Sequence, residues 1–401
     1  MRWSLVGLLV FPFAAVAQSP LLSRIAIAVR DQMERLPNYT CTMTVDRRQR
    51  VTGSKGFQVI DKIRLEVALV DNHELYAWPG SHRFEEVPIY DMVGGGVIGT
   101  GEYGLFLQTV FLSGAATFRF AGQEELNDRQ AYRFLYEVPR ALSRYEIRLP
   151  TIRDTVGFGG SAWIDAASLE VLRLEVLVRE IPAHLPLAFG RIAIDYGRLH
   201  TSRGGFLLPS SAEQNFAGGG QEALNQIAFS GCREYRAESA ISFGETPKAM
   251  ASPPVTLRPL EVPAGIEIES KLETQLDSGS VATGDPFEAT VTKTVIRKGA
   301  VVVPKGATIH GRVDGVVRRA QPDACIGVIL HPAWIDFKGR EGAFAADQVS
   351  LPYLNPSRLA HDPCSFVREP GSAILQFNES TFRIPGGQLI LWRTSKPDER
   401  R

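Results

Sequence analysis

The segment Gly160–Glu175, GSAWIDAASLEVLRLE, decides the fold of this chain. An apolar strand ends at Trp163-Ile164-Asp165, a short turn follows, and the next strand alternates apolar and polar residues. Alternation with a period of two is typical of half-buried antiparallel strands. The segment therefore predicts a β-hairpin. The same alternation predicts strands from Cys41 to about Phe243, as in Ile63, Leu65 and Val67, in Tyr132, Phe134, Tyr136 and Val138, and in Leu172, Leu174, Val176 and Val178.

One amphipathic helix precedes these strands. Its apolar residues recur at steps of three and four, which places them on one helix face, and Pro37 and Asn38 end it. These residues are Leu22, Ile25, Val29, Met33 and Leu36. We expect a mainly β (α+β) fold, in which this helix packs in an antiparallel half-barrel that is followed by a second small β-barrel or sandwich domain.

A proline-rich stretch divides the chain of 401 residues, which is long enough for two domains. It carries Pro247, Pro253, Pro254 and Pro259 with little periodicity, which is typical of a semi-rigid linker. We expect a half-barrel domain over 18–245, a linker over 246–262, a β-domain over 263–393 and a solvated tail over 394–401.

The first residues resemble a secretory signal peptide. Arg2 supplies a positive charge, Leu5 to Ala15 form a short apolar core, and Ala15-Val16-Ala17 is a small-x-small cleavage pattern. We expect a signal peptide over 1–17, cleavage after Ala17, and a periplasmic or secreted protein. No later apolar run approaches the roughly 20 residues of a transmembrane helix, so we expect none in the mature chain.

The charge balance favours neither nucleic acid nor an anionic bilayer as a partner, since 44 Lys and Arg balance 44 Asp and Glu. Four cysteines, an even number in an exported chain, indicate disulfides. Of the three pairings that they allow, we favour Cys41–Cys232 and Cys325–Cys364, because each bridge then lies within one half. Neither C-x-x-C nor paired histidine spacing is present, so we expect no metal site and no cofactor.

Two motifs suggest enzymes but occur in the wrong context. Gly99 to Gly104 matches G-x-G-x-x-G without the βαβ unit of a nucleotide site. We interpret it as a flexible loop that leads into an apolar helix, Leu105 to Leu112. This loop would gate an internal cavity. Asp277-Ser278-Gly279 resembles the active-site turn of aspartic proteases, but it is also ordinary turn chemistry. We expect no catalytic residues, and an aspartic protease is a distant alternative.

The order of features between Leu21 and Phe243 resembles the LolA/LolB superfamily of periplasmic lipoprotein carriers and lipid-binding proteins. The similarity rests on the amphipathic helix, the strand from Tyr132 to Val138, and the hairpin from Gly160 to Glu175. Phe206-Leu207-Leu208-Pro209 and Ile227-Ala228-Phe229 would be later strands. The resemblance implies an unclosed β-barrel covered by helices, with an apolar interior that accepts acyl chains.

The second half, from Pro263 to about Val317, is similar to the C-terminal β-barrel of TrbI/VirB10-type secretion-channel proteins. The matching elements are Ala264-Gly265-Ile266, Leu276-Asp277-Ser278, Gly284-Asp285-Pro286 and Val303-Pro304-Lys305-Gly306-Ala307. The transmembrane helix and proline-rich arm of those proteins have no counterpart here. The resemblance therefore implies an isolated barrel module.

Our leading hypothesis is a non-enzymatic envelope protein that binds an acyl chain, lipid or lipidated protein in its first half. The alternation of the strands suggests pocket-lining residues that could equally form a solid core: Phe134, Tyr136, Trp163, Leu172, Leu174 and Val176. The alternative is a structural or interaction module that docks on an envelope protein through a sheet edge of the C-terminal β-domain.

Overall fold

The computed structural model describes residues 20–70, 73–81, 84, 89–93, 98–99, 104–149, 152–201, 204–234, 259–319, 325–350, 370–377, 379 and 381–396. The expected signal peptide and its cleavage site lie outside these residues. Most of the expected linker does so as well, and so does Cys364.

Helices are few and all belong to the first part of the chain as described. Helix α1 spans Pro20–Arg35 and buries Leu22, Ile25 and Val29, as the apolar spacing predicts. Helix α2 spans Ile89–Met92. Helix α3 spans Leu105–Leu107 and continues directly into a π-helical turn over Gln108–Leu112. The predicted apolar helix from Leu105 to Leu112 is thus confirmed, and we call it the filler segment.

Twelve strands follow one another among the described residues of the first part of the chain, and all but β6 and β7 join one sheet of ten. They are β1 Tyr39–Val51, β2 Gln58–Val70, β3 His73–Ala77, β4 Thr117–Leu126, β5 Arg129–Val138, β6 Glu146–Arg148, β7 Arg153–Thr155, β8 Gly157–Asp165, β9 Val171–Arg179, β10 Phe189–Thr201, β11 Gly204–Gly218 and β12 Gln221–Glu234. The sheet order is β3-β2-β1-β12-β11-β10-β9-β8-β5-β4.

The ten-stranded sheet is antiparallel and curls around α1 and the filler segment. Side chains of α1, of the filler segment and of the strands' inner faces form one hydrophobic core. Burial of this apolar surface is the main force that holds the helices in the sheet. The predicted mainly β fold with a helix in an antiparallel half-barrel is confirmed.

The later part of the chain forms a second sheet of eight strands with a separate core. Its strands and those of two small ribbons are β13 Glu267–Leu272, β14 Leu276–Asp277, β15 Pro286–Val291, β16 Val295–Arg297, β17 Ala300–Val303, β18 Thr308–Arg319, β19 Cys325–Phe337, β20 Arg340–Ala343, β21 Ala346–Ser350, β22 Ala373–Phe377, β23 Arg383–Ile384 and β24 Leu389–Thr394. The order is β20-β19-β18-β15-β13-β24-β21, with β22 beside β19. The barrel resemblance of this part stays a prediction.

One predicted disulfide is present, and it joins the first and last strands of the curled sheet. Cys41 in β1 and Cys232 in β12 are bonded, although 191 residues separate them. Cys325 is also disulfide-bonded, and its expected partner Cys364 lies outside the described residues. The Cys41–Cys232 bridge links the first and last strands of the half-barrel, and this link restricts the conformations of the unfolded chain.

The two sheets meet along β2. Ile63 forms a parallel bridge with Thr283, and the Thr283 backbone N–H donates to the Lys62 carbonyl at 2.8 Å. Arg64 forms an ion pair with Asp285. A cleft of about 270 Å³ opens beside this contact, lined by Asp46, Val59, Asp61, Lys62, Ser278, Gly279, Val281, Val316 and Arg318. Five of these nine residues are charged or polar, so the cleft does not suit an alkyl chain.

Candidate functional site

The interior of the curled sheet is packed with aromatic rings around the filler segment. Phe106 is fully buried and meets Tyr145 and Phe158 edge to face, with ring centroids 5.2 and 5.7 Å apart. Phe111 stacks on Phe118 at 5.6 Å. Edge-to-face and offset pairs of this kind add to the stabilisation from burial. The filler segment therefore occupies the space in which we expected a gated cavity.

Four of the six expected lining residues share this interior. Phe134 and Tyr136 on β5 and Leu174 and Val176 on β9 are buried in the same core as α1 and the filler segment. Alternation on neighbouring strands brings them to one face, as the sequence suggests.

Leu172 and Trp163 do not join that group. The β8–β9 register shifts between Trp163 and Ile164, and Val171 takes the place opposite Ile164 in the core. Leu172 is buried outside the main core cluster. Trp163 lies on the outer face, where Arg133 stands 5.2 Å from its ring centroid and Glu124 accepts a hydrogen bond from its indole. A bulge adds one residue to a strand and so changes which side chains face inward.

A buried tyrosine is one of the polar groups of the interior, beside the buried Gln214 and Asn225. The Tyr136 hydroxyl donates to the Glu175 backbone carbonyl at 2.8 Å. Burial, followed by the influence of Tyr196 and Glu175, raises the pKa of Tyr136 well above its ordinary value. The hydroxyl therefore stays protonated and hydrogen-bonded, and the interior carries no charge at this point. Such an environment suits an alkyl chain rather than a charged head group.

A narrow apolar groove leads from the surface towards this core at the end of α1. It is too narrow to admit a water-sized molecule, and it is lined by Leu36, Pro37, Tyr39, Leu199, Phe206, Leu208 and Glu234. Sequence patterns do not reveal it, because its walls come from the two residues directly after α1 and from four strands, β1, β10, β11 and β12. We call it the α1 groove.

The outer face of the same sheet is built from ion pairs that join neighbouring strands. Arg191 reaches Glu175 at 2.7 Å and Glu213 at 3.1 Å, and Arg173 reaches Asp195 at 3.1 Å. The Arg47–Asp61 pair differs, because Arg47 continues the inward alternation of Val45 and is almost fully buried, and its Nε donates to Asp61 at 2.7 Å. The charged outer face cannot take up an apolar ligand. Any such ligand belongs on the inner face.

The two enzyme-like motifs take structural roles where they are described. Gly104 lies directly before α3, and the Gly99 N–H donates to the Gln214 side chain at 3.1 Å, while residues 100–103 lie outside the described part. Asp277 accepts a hydrogen bond from the Gly279 N–H at 2.9 Å, and its carbonyl accepts one from Val281 at 2.8 Å. These bonds make Asp277-Ser278-Gly279 a turn that is capped by its own carboxylate.

In the described part of the chain, no group of three or more His, Cys, Asp or Glu side chains is arranged to hold a metal ion. None of the helices described is long and apolar enough to cross a membrane.

Several solved structures resemble part of this chain at very low identity. A putative outer membrane lipoprotein-sorting protein domain from Vibrio parahaemolyticus is 10% identical, with a TM-score of 0.27, over 55% of this chain and 95% of that one. A LolA superfamily protein from Nitrosomonas europaea is 9% identical, with a TM-score of 0.25, over 54% and 94%. The lipoprotein LppX from Mycobacterium tuberculosis is 9% identical, with a TM-score of 0.21, over 55% and 98%.

No protein-family model matches the chain, and neither does any curated protein. TM-scores this low carry no conclusion about function, which rests on the geometry described above.

Proposed function

We propose that the curled sheet binds an acyl chain, as part of a lipid or of a lipidated protein, on its inner face without catalysing a reaction. The observation that carries this proposal is the filler segment. Its buried side chains belong to the apolar core, yet it is a short helical piece and not a strand of the sheet. An acyl chain can take its place without breaking the sheet's hydrogen bonds.

The local geometry of the filler segment supports such an exchange. The Gln108 N–H donates to the Gly104 carbonyl and the Ser113 N–H to the Gln108 carbonyl, both at 2.9 Å, so these bonds stay within the segment and its caps. Gly114 follows with a φ of +74°, a conformation that glycine adopts without strain. π-Helical turns often occur at functional sites. The segment can therefore move as one piece about its two ends.

The α1 groove offers the path to the interior. Tyr39 and Leu208 are buried in its walls, whereas Leu199 and Phe206 are half-buried at its surface. A small outward shift of α1 would widen this groove, because α1 is held by side-chain packing and by a Gln32 hydrogen bond to the Leu207 carbonyl at 3.4 Å. The alkyl part of a ligand would enter here and leave its polar end at the rim.

Uptake of a fluorescent fatty acid by solvent-extracted protein tests this path. We expect saturable binding, and at least tenfold weaker binding in Leu199→Asp/Phe206→Ser, because a carboxylate in the groove opposes entry of an alkyl chain. Phe120→Ser is the matched control, since Phe120 is 53% exposed on the edge strand β4. Absent uptake by the unaltered protein, or equal uptake by both variants, would refute the proposal.

We further propose that the mature chain begins at Gln18 and acts outside the cytoplasm, in the periplasm or as a secreted protein. The Cys41–Cys232 disulfide supports this location, because such bonds persist in oxidising compartments. The intact mass of the protein from an exporting host tests the cleavage after Ala17. A mass that retains residues 1–17 would contradict it. Docking of the second sheet on an envelope protein stays a prediction.

A further inference from the structure

A small β-ribbon stands out from the second sheet and carries exposed apolar and cationic side chains together. Strands β16 and β17 form it, and Ile296 and Val301, which oppose each other across it, are 64% and 59% exposed. Lys298 and Gly299 turn the chain between the strands, with φ of +51° and +79°. Two positive φ values give the tight turn that two-residue hairpins favour. We call the segment 293–305 the basic hairpin.

The base of the hairpin is anchored while its tip is free of the core. Val303 is fully buried in the second core and half-buried Val295 packs against that core. The Lys305 N–H donates to Thr294 Oγ1 at 3.2 Å. The anchored base therefore holds the exposed Ile296 and Val301 away from the core. Their exposure does not result from an irregular loop.

The charge of the hairpin has one sign. No Asp or Glu occurs between residues 289 and 313, although the whole chain has equal numbers of acidic and basic residues. Lys293 pairs with Glu269 at 3.2 Å. Arg297 donates to the Ala264 carbonyl at 3.3 Å, and Lys298 and Lys305 are exposed. These last three cations have no carboxylate partner in the described part of the chain, so the neutral composition conceals a local cationic surface.

We propose that the basic hairpin docks on the surface of an anionic lipid bilayer. A protein partner would need an interface of roughly 800 Å² on each side, which a ribbon this small does not provide. A bilayer needs less, because cations at the tip are attracted to anionic head groups while a few apolar side chains enter the interface. Ile296 and Val301 would supply that insertion, and Arg297, Lys298 and Lys305 the attraction. The site is separate from the acyl-chain site and does not depend on it.

Flotation of the full chain with vesicles tests this proposal. We expect binding to phosphatidylcholine vesicles that contain phosphatidylglycerol, weaker binding at high salt, and little binding to pure phosphatidylcholine. Lys298→Glu/Lys305→Glu should lower the partition coefficient by about fivefold or more for each cation changed. Ile296→Ser/Val301→Ser should lower it roughly tenfold through the lost insertion.

Two control variants make the result specific to the hairpin. Lys55→Glu/Arg119→Glu changes the net charge equally at two exposed sites, one in the turn between β1 and β2 and one on β4. Val317→Ser/Val349→Ser removes two valines that are 42% and 40% exposed elsewhere on the second sheet. Both controls should bind like the unaltered protein. Equal losses in controls and hairpin variants would overturn the proposal. Binding to polyglutamate without binding to the vesicles would also overturn it, in favour of an acidic protein.

Discussion

The two hydrophobic cores of this molecule are filled in different ways. In the first, α1 and the filler segment lie inside a curled sheet and supply Ile25, Val29 and Phe106. In the second, the described core residues come from strands, the turns between them and the segment before β13, with Trp392 and Phe344 among the largest. Helical pieces can leave a core while a sheet keeps its hydrogen bonds, whereas inward side chains of strands cannot. We therefore propose that only the first core exchanges its filling for a ligand.

The largest effect that distinguishes the two cores is expected at the centre of the second core. Trp392 is fully buried, and its indole N–H donates to Ser270 Oγ at 2.8 Å. Trp392→Ala should lower the free energy of unfolding of this sheet by about 4 kcal/mol. Hydrogen exchange resolved for each sheet would measure this loss, with Trp392→Phe as the milder control. Fatty acid should not restore the stability, and a restored stability would place a ligand site here instead.

Phe106→Ala makes the corresponding change in the first core. It should cost about 3 kcal/mol, because it leaves a cavity between Tyr145 and Phe158. Here a long-chain fatty acid should recover part of the loss, since apolar cavities take up apolar ligands. Thermal unfolding with and without the fatty acid measures the recovery. If the fatty acid restored stability in neither Phe106→Ala nor Trp392→Ala, the proposed difference between the two cores would be wrong.

The disulfide affects the two sheets unequally as well. Cys41→Ala/Cys232→Ala should lower the stability of the curled sheet by about 3 kcal/mol, because the bridge closes a long loop of the unfolded chain. The second sheet should keep its hydrogen-exchange protection. Loss of protection in both sheets at once would show that they unfold as a single unit, in which case their cores could not be compared separately.

The smallest expected effect concerns the turn after β8. Asp165 accepts hydrogen bonds from the Ser168 N–H at 2.7 Å and Oγ at 2.9 Å, and it pairs with Arg129 at 2.9 Å. Burial by itself raises the pKa of Asp165, but the bonds from Ser168 and the charge of Arg129 outweigh it and lower the pKa. The carboxylate therefore stabilises the fold above its unfolded pKa, and this stabilisation is lost as the pH falls through its folded pKa.

Asp165→Asn should accordingly cost about 1 kcal/mol near neutral pH. The difference from the unaltered protein should shrink once the pH falls below about 4. Urea unfolding across this pH range, followed on the first sheet, measures the effect, and Asp128→Asn serves as a control in an exposed turn. A penalty that did not depend on pH would contradict the role given to the carboxylate.

Local patterns predict much of this architecture. The apolar spacing of Leu22, Ile25 and Val29 predicts α1, and alternation predicts β2, β5 and β9, because both follow directly from backbone periodicity. The Cys41–Cys232 pairing follows from the division of the chain into two halves.

What the sequence does not predict depends on register and on distant contacts. Leu172 leaves the inner core because a bulge shifts the β8–β9 register, which alternation alone does not show, whereas Trp163 faces outward by alternation between the core residues Ala162 and Ile164. The pairing of β1 with β12 and the α1 groove arise only when distant segments meet. The overall composition does not predict the basic hairpin either. The total charge of the chain is neutral, and it therefore does not show that basic residues are concentrated in one segment.

The central claim is that a ligand replaces the filler segment in the first core. Native mass spectrometry tests it most directly, on the exported protein before and after mild organic extraction. We predict an adduct with the mass of an acyl lipid that extraction removes and that added fatty acid replaces. Hydrogen exchange in the filler segment should rise when the ligand is bound, since the ligand displaces Phe106 and its neighbours from the core. A clean apo mass, together with no uptake of added fatty acid, would show that both cores are permanently filled.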